Sequence, residues 1–365
     1  MHVGLSVIFQ NPGDRRTDTE VYADELSIAR QAEPLGFESI WSVEHHFTDY
    51  TMCPDVLQFL TYMAACTSTI KLGSMVCVLP WHDPVRVAEQ IAMLDTMSGG
   101  RVILGLGRGT GRVEFDGFGV AMSEARDRFA EAAEMVLTGL ERGYLEYDGQ
   151  HVRQPRVDLR PRPTRTFRGR TYAATVSPES AEIMARMGVG PLIIPQKPWK
   201  QVREELATYR ATYRESTGDE APTPYCAGWT FVDESADRAE ELARRYIGAY
   251  WDSVVKHYEF DKDHLKATPG YEFHGLMYDR LNAPGGMERM TDYFVGLQVW
   301  GTPAQVYDKV VAIQDQTYAD AFMAVCSYGG MPHDEAVRNV SLFASYVMPE
   351  LKKLAPSYER LGVPA

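Results

Sequence analysis

Apolar and polar positions change period repeatedly along the chain. The run "GLSVIF" at 4–9 predicts a strand. "EVYADELSIARQAEPLG" at 20–36 repeats its apolar positions every three to four residues and predicts a helix that Gly36 stops. The same pair then recurs. Further strands are predicted at 38–43, 70–80, 101–107, 171–176, 191–195, 225–232 and 320–327. Helices are predicted at 54–68, 83–100, 123–142, 178–187, 199–216, 235–250, 303–317 and 333–347. A small hairpin over 144–153, turning at Asp148-Gly149, leads into a surface excursion over 154–170 that is rich in Pro and Arg.

Such alternation has two solutions, a closed (β/α)8 barrel or an open doubly wound sheet. The open sheet normally carries G-x-G-x-x-G where its first strand enters a helix, and Asn11-Pro12-Gly13-Asp14 stands there instead. The expected fold is therefore an α/β (β/α)8 TIM barrel with insertions, one domain over 1–365. Barrels of this kind carry function at the C-terminal ends of their strands. "VEHHF", "LPWH", "GRGTG", "TVSPES" and "IIPQ" should then meet at one mouth. Adjacent side chains on extended chain face opposite ways, so His45 and His46 should have different jobs. The glycine-rich "GLGRGTG" at 105–111 has Thr110 where a dinucleotide fingerprint needs its last glycine, and "RVEFDGFG" separates it from the next predicted helix. It reads equally as an anion-holding loop with Arg108 or as a surface turn.

Composition narrows the classes. The 365 residues are 45% hydrophobic and 24% charged, which suits a packed globular core. No apolar run reaches the ~18 residues of a membrane span, and the N-terminus lacks a signal-peptide pattern, so a cytoplasmic protein is expected. The net charge of −13 and the scatter of the arginines argue against nucleic acid and anionic membrane as partners. Cys53, Cys66, Cys77, Cys226 and Cys326 show no C-x-x-C spacing and read as reduced thiols, with no metal site expected. Helices 54–68 and 83–97 carry more apolar side chains than one inward stripe needs, among them Val56, Phe59, Tyr62, Ile91 and Met93. That surplus suggests burial against another subunit.

The stretches "GFESIWSVEHHFTDY", "VLPWHDPVRVAEQIAMLDTMSGGRVILGLGRG", "YIGAYWDSVVKHYEF" and "GTPAQVYDKV" resemble the bacterial luciferase family, in particular its alpha subunit. The resemblance implies a barrel that binds reduced FMN, supplied by a separate flavin reductase. With dioxygen the flavin forms a C4a-hydroperoxide that oxidises a small organic substrate. It places His45 beside the flavin as acid or base, with Glu44 orienting polar groups around it. It puts Arg108, Ser177 and Ser180 at the FMN phosphate, and Met75–Val76 as a non-proline cis peptide beneath the isoalloxazine. Three positions depart from the family. Gly107 replaces a cysteine near the flavin, Val176 a glutamate beside the phosphate, and Thr110-Gly111 a bulkier pair. Gly107 suggests a roomier pocket and a substrate larger than an unbranched aldehyde. The aromatic-rich segment 251–300, with "LNAPGGMER" at 281–289 as its hinge, corresponds to the family's mobile loop. Two other readings stay open: a deazaflavin (F420)-dependent dehydrogenase and a non-catalytic flavin-binding subunit.

Overall fold

Helix starts are fixed by short polar side chains that take up free backbone N–H groups. Thr17 accepts from Glu20 N–H while the Glu20 carboxylate accepts from Thr17 N–H at 2.9 Å, which sets the start of helix Asp18–Leu35. Gly36, with φ 93°, ends it. Asp55 and Asp83 cap helices Val56–Cys66 and Pro84–Met97, and Thr302 with Gln305 repeats the reciprocal cap ahead of Pro303–Thr317. Each of these helices returns the chain to a parallel strand. The structure, a computed structural model, describes residues 1–174, 178–357 and 359.

The barrel strands are β1 (His2–Ser6), β2 (Ser39–Ser42), β3 (Lys71–Ser74), β4 (Val102–Gly107), β5 (Thr171–Ala174), β6 (Gly190–Ile193), β7 (Tyr225–Val232) and β8 (Ala321–Val325). All pair in parallel. Because β8 bonds to both β1 and β7, and β7 to β6, the sheet closes into the expected eight-stranded barrel. Trp41 fills much of the interior with Met75, Ile103, Tyr172, Leu192 and Met323. It fits because β3 carries Gly73 beside it, where a Cβ would stand 2.2 Å from the indole.

Four departures from the expected elements change the local picture most. The strand expected at 70–80 stops at Ser74, because the Met75–Val76 peptide is cis and turns the chain. The chain resumes as Cys77–Val78 alongside β4, and Ser74 Oγ ties the break by bonding Gly105 N–H at 2.8 Å and Gly105 C=O at 2.9 Å. The hairpin is longer than expected. Its strands are Tyr144–Asp148 and Arg153–Asp158, and the Glu131 carboxylate holds its turn through the N–H groups of Gln150, His151 and Val152. The segment "RVEFDGFG", expected to separate the glycine-rich run from any helix, is itself helical over Arg112–Phe118. The helix expected at 235–250 continues to Tyr258.

Beyond Tyr258 the chain forms His264–Ala267, Glu272–Asn282 and Gly286–Leu297, a helical cover rather than an irregular loop. Its base is pinned by Arg112, whose guanidinium meets both Glu259 oxygens at 2.7 and 2.9 Å. The glycines expected to act as a hinge close a tight turn. A Cβ on Gly286 would lie 2.2 Å from Arg280 C=O. The apolar surplus on the outer helices is mostly consumed by this chain, since Val56, Phe59, Leu60 and Ile91 are buried and Tyr62, Met93 and Met97 stay exposed. Among the described residues, no helix is long and apolar enough to cross a membrane.

Candidate active site

Residues from the C-terminal ends of β2 to β6 line one cleft of ≈ 890 Å³, as the barrel rule requires. Glu44 and His45 come from β2, Met75 and Val76 from the cis turn after β3, and Gly107, Arg108 and Thr110 from the exit of β4. Ala174 ends β5, and Ile194 and Gln196 follow β6. Val176 and Ser177 lie outside the described residues. So does the side chain of Ser180, whose backbone belongs to helix Pro178–Arg186.

The rings of His45 and His46 have different surroundings, as alternation predicts. The His45 ring lines the cleft with 15% of its side chain exposed, and its Nδ1 lies 2.9 Å from Glu114 Oε1. That carboxylate also accepts His46 N–H at 2.9 Å and lies 3.5 Å from His257 Nε2. A carboxylate at Nδ1 fixes the tautomer: Nδ1–H donates, and Nε2 keeps its lone pair. Tyr258 OH stands 3.3 Å from that Nε2. Glu114 is fully buried, which by itself would raise its carboxyl. The charge of His45 and the bonds from His257 and His45 outweigh burial and hold it at about 2. Burial pushes the His257 imidazole below its usual range, and Thr48 Oγ1 bonds its Nδ1 at 2.9 Å.

His46 is buried in an aromatic box, edge-on to Trp81 and Phe118. Glu44, expected to serve His45, serves His46 instead. Its Oε1 accepts from His46 Nε2 at 3.1 Å and from His82 Nε2, while Oε2 takes Val78 N–H at 2.9 Å. Glu44 thereby binds the exit of β2 to the chain that follows the cis peptide. Burial opposes ionisation of its carboxyl, but these bonds hold it below the usual range, and His82 is correspondingly raised.

The guanidinium of Arg108 lies 4.1 Å from the centroid of the Tyr271 ring, and Tyr271 OH donates to Gly109 C=O at 2.8 Å. The cover is thus fastened to the β4 loop. Gly109 has φ 79°, and a Cβ there would stand 2.7 Å from Trp81, so both conformation and space call for glycine. The expectation at Gly107 needs correction. A Cβ at Gly107 would meet Val76 Cγ2 at 2.1 Å, so the valine methyl already fills the volume that a larger side chain would take. Glycine there accommodates the cis turn and does not open the pocket.

Sequence reasoning missed Glu114, His257 and His274, although all three reach the mouth or its supporting network. The "KHYEF" run held a signal, since a histidine and a tyrosine sit side by side at the end of a helix; Glu114 had none.

A closed parallel barrel brings a carboxylate-held imidazole, a cis peptide and an arginine to one mouth, the end at which (β/α)8 enzymes carry their active sites. Residues 1–320 match the model of the luciferase-like monooxygenases, and the chain belongs to that family. It is 27% identical over 344 residues to the alkanal monooxygenase alpha chain of Photorhabdus luminescens, covering 92% of this chain and 94% of that one. The crystal structure of monooxygenase RslO1 from Streptomyces bottropensis superposes with a TM-score of 0.81 at 25% identity, covering 96% and 99% of the two chains. The oxygenating constituent of 3,6-diketocamphane monooxygenase from Pseudomonas putida, solved in complex with FMN, shares the fold with a TM-score of 0.74 at 18% identity over 98% of this chain and 99% of that one.

Proposed function

We propose that the chain is the oxygenase of a two-component system, taking reduced FMN from a separate reductase and using dioxygen to oxidise a small organic substrate. The observation that carries this reading is the Glu114-held His45, aimed into a cleft that also presents Arg108 and the Met75–Val76 peptide. These groups suit FMN: a flat peptide surface for a tricyclic ring, a guanidinium for a phosphate dianion, and a proton-exchanging imidazole between them. Ser177 and Ser180 join Arg108 at the phosphate in this proposal, with Thr110 and Val176 beside them. Bound reduced flavin supplies the two electrons with which one atom of dioxygen enters the substrate and the other leaves as water.

The chain's own residues do the rest. His45 Nε2 accepts and returns a proton at the reacting centre, with Glu114 stabilising the imidazolium. Tyr258, held protonated by burial, donates toward the same nitrogen. Tyr50, packed edge-on against His45 and bonded to Tyr250 OH, helps keep water from it. A homodimer through the face that bears Tyr62, Met93 and Met97 belongs to the same proposal.

Anaerobic titration tests it. Reduced FMN should bind about ten- to a hundredfold more tightly than reduced riboflavin, the worth of one charge-assisted phosphate contact. Arg108→Ala should remove most of that difference. Equal binding of the two flavins would refute the phosphate site, and binding of reduced F420 in place of FMN would favour the dehydrogenase reading.

A further inference from the structure

A second cavity, of ≈ 1180 Å³, lies under the helical cover, and Gln196, Phe260 and His274 line both it and the cleft of His45. Its walls are unlike those of the cleft. Trp251, Phe260, Phe273, Tyr293 and Phe294 line this cavity, with Trp251 and Phe294 stacked at 4.8 Å between centroids. Two cations line it. Lys197 is paired with both Glu205 oxygens at 2.7 Å and lies over the Phe273 ring, and Arg280 is exposed. Apart from exposed Arg280, the charge on its lining side chains is therefore compensated. At the junction stands His274, whose Nδ1 is sealed from solvent with no hydrogen-bond partner. Buried polar atoms are paired in the great majority of native structures, so an unpaired one beside a cavity marks a place for a ligand's polar atom.

We infer that this chamber is the substrate compartment, and that it takes an uncharged, multi-ring aromatic molecule whose single polar group meets His274 where the chamber opens into the cleft. The inference rests on the oxygenase reading for its chemistry and on the chamber alone for its ligand class. Aromatic walls discriminate by shape. Offset and edge-on ring contacts add about 0.5–1.5 kcal/mol each beyond buried area, and a saturated chain gains only the area. Five aromatic side chains along one cavity offer contacts to more than one ring of a ligand. Burial, with Arg108 and Lys197 nearby, pushes the His274 imidazole down to about 4, so it is neutral at neutral pH and can donate to a carbonyl or accept from a hydroxyl.

The test is calorimetric binding of 2-acetylnaphthalene and of decanal to the flavin-free full chain, repeated with FMN present. The aromatic ketone should bind about tenfold more tightly than the aldehyde, equivalent to one or two ring contacts. FMN should not compete with it. Met277→Trp, which fills the chamber, should abolish ketone binding, and His274→Phe should weaken it about tenfold through the lost hydrogen bond. Met277→Trp should keep wild-type FMN affinity, which also reports that it is folded, and a thermal melt reports the folding of His274→Phe. Competition between ketone and FMN, or equal binding of ketone and decanal, overturns the inference. So does undiminished ketone binding to a Met277→Trp protein that still binds FMN. A chain that binds the ketone as expected but no flavin leaves the chamber standing and overturns the oxygenase reading instead.

Discussion

Replacing Glu114 with Gln keeps the shape of the side chain and removes its charge, and it should damage stability and chemistry by separate routes. The carboxyl is held at about 2 in the folded chain, against roughly 4.3 in an unfolded one. That difference corresponds to roughly 3 kcal/mol of folding stability. Because the folded value is the lower one, the contribution is complete above about pH 5 and disappears as the pH falls toward 2. Urea unfolding should therefore find Glu114→Gln less stable than wild type by about 3 kcal/mol at pH 7. The gap should narrow at pH 3. The chemical effect comes from the lost charge. A Gln carbonyl in the place of Oε1 can still accept from both His46 N–H and His45 Nδ1–H, with its amide in the place of Oε2 toward His257. His45 keeps its tautomer, but the imidazolium formed when Nε2 takes a proton loses the carboxylate that stabilised it. Product formed per molecule of reduced flavin should fall about 10² to 10⁴-fold, the contribution of a positioned acid or base, while peroxide release rises. A Glu114→Gln protein with wild-type stability at pH 7, or with full product yield, would refute this account of the buried network.

His46→Ala should lose about 1–3 kcal/mol of stability by leaving buried Glu44 Oε1 short of a partner, with product yield per folded molecule kept; His45→Ala should do the reverse, and thermal melts with product assays separate the two. Gly107→Cys should destabilise by about 1–3 kcal/mol through the clash with Val76, and Val76→Ala in the same chain should restore most of the loss, measured by urea unfolding. Of the five cysteines, Cys66 alone is exposed, so a native-state thiol titration should show one fast-reacting group and four that react only on unfolding; two or more fast thiols would contradict the packing around Cys53 and Cys77.

The barrel was legible in the chain because its evidence is local. Thr17 and Glu20, Asp83 and Pro84, and Thr302 and Gln305 each write a helix start within four residues, and the apolar runs between them have strand length. Alternation of such elements leaves few topologies, and a barrel sends its strand ends to one face. The cleft residues His45, Arg108 and Gly107 followed from that rule and from the family resemblance. The two histidine faces followed from the geometry of extended chain alone. What stayed hidden depends on atoms distant in sequence. Glu114 meets His45 across 69 positions and Tyr258 meets it across 213, and no local period encodes either approach. The role of Gly107 was misread for the same reason: the glycine is visible in the chain, but the methyl of Val76 that fills its space arrives from the cis turn after β3. The order and type of elements are set by short-range propensity and capping. The acid behind the imidazole, the seal of the cleft and the aromatic chamber are set by long-range packing, which fixes distances that a one-dimensional pattern does not carry.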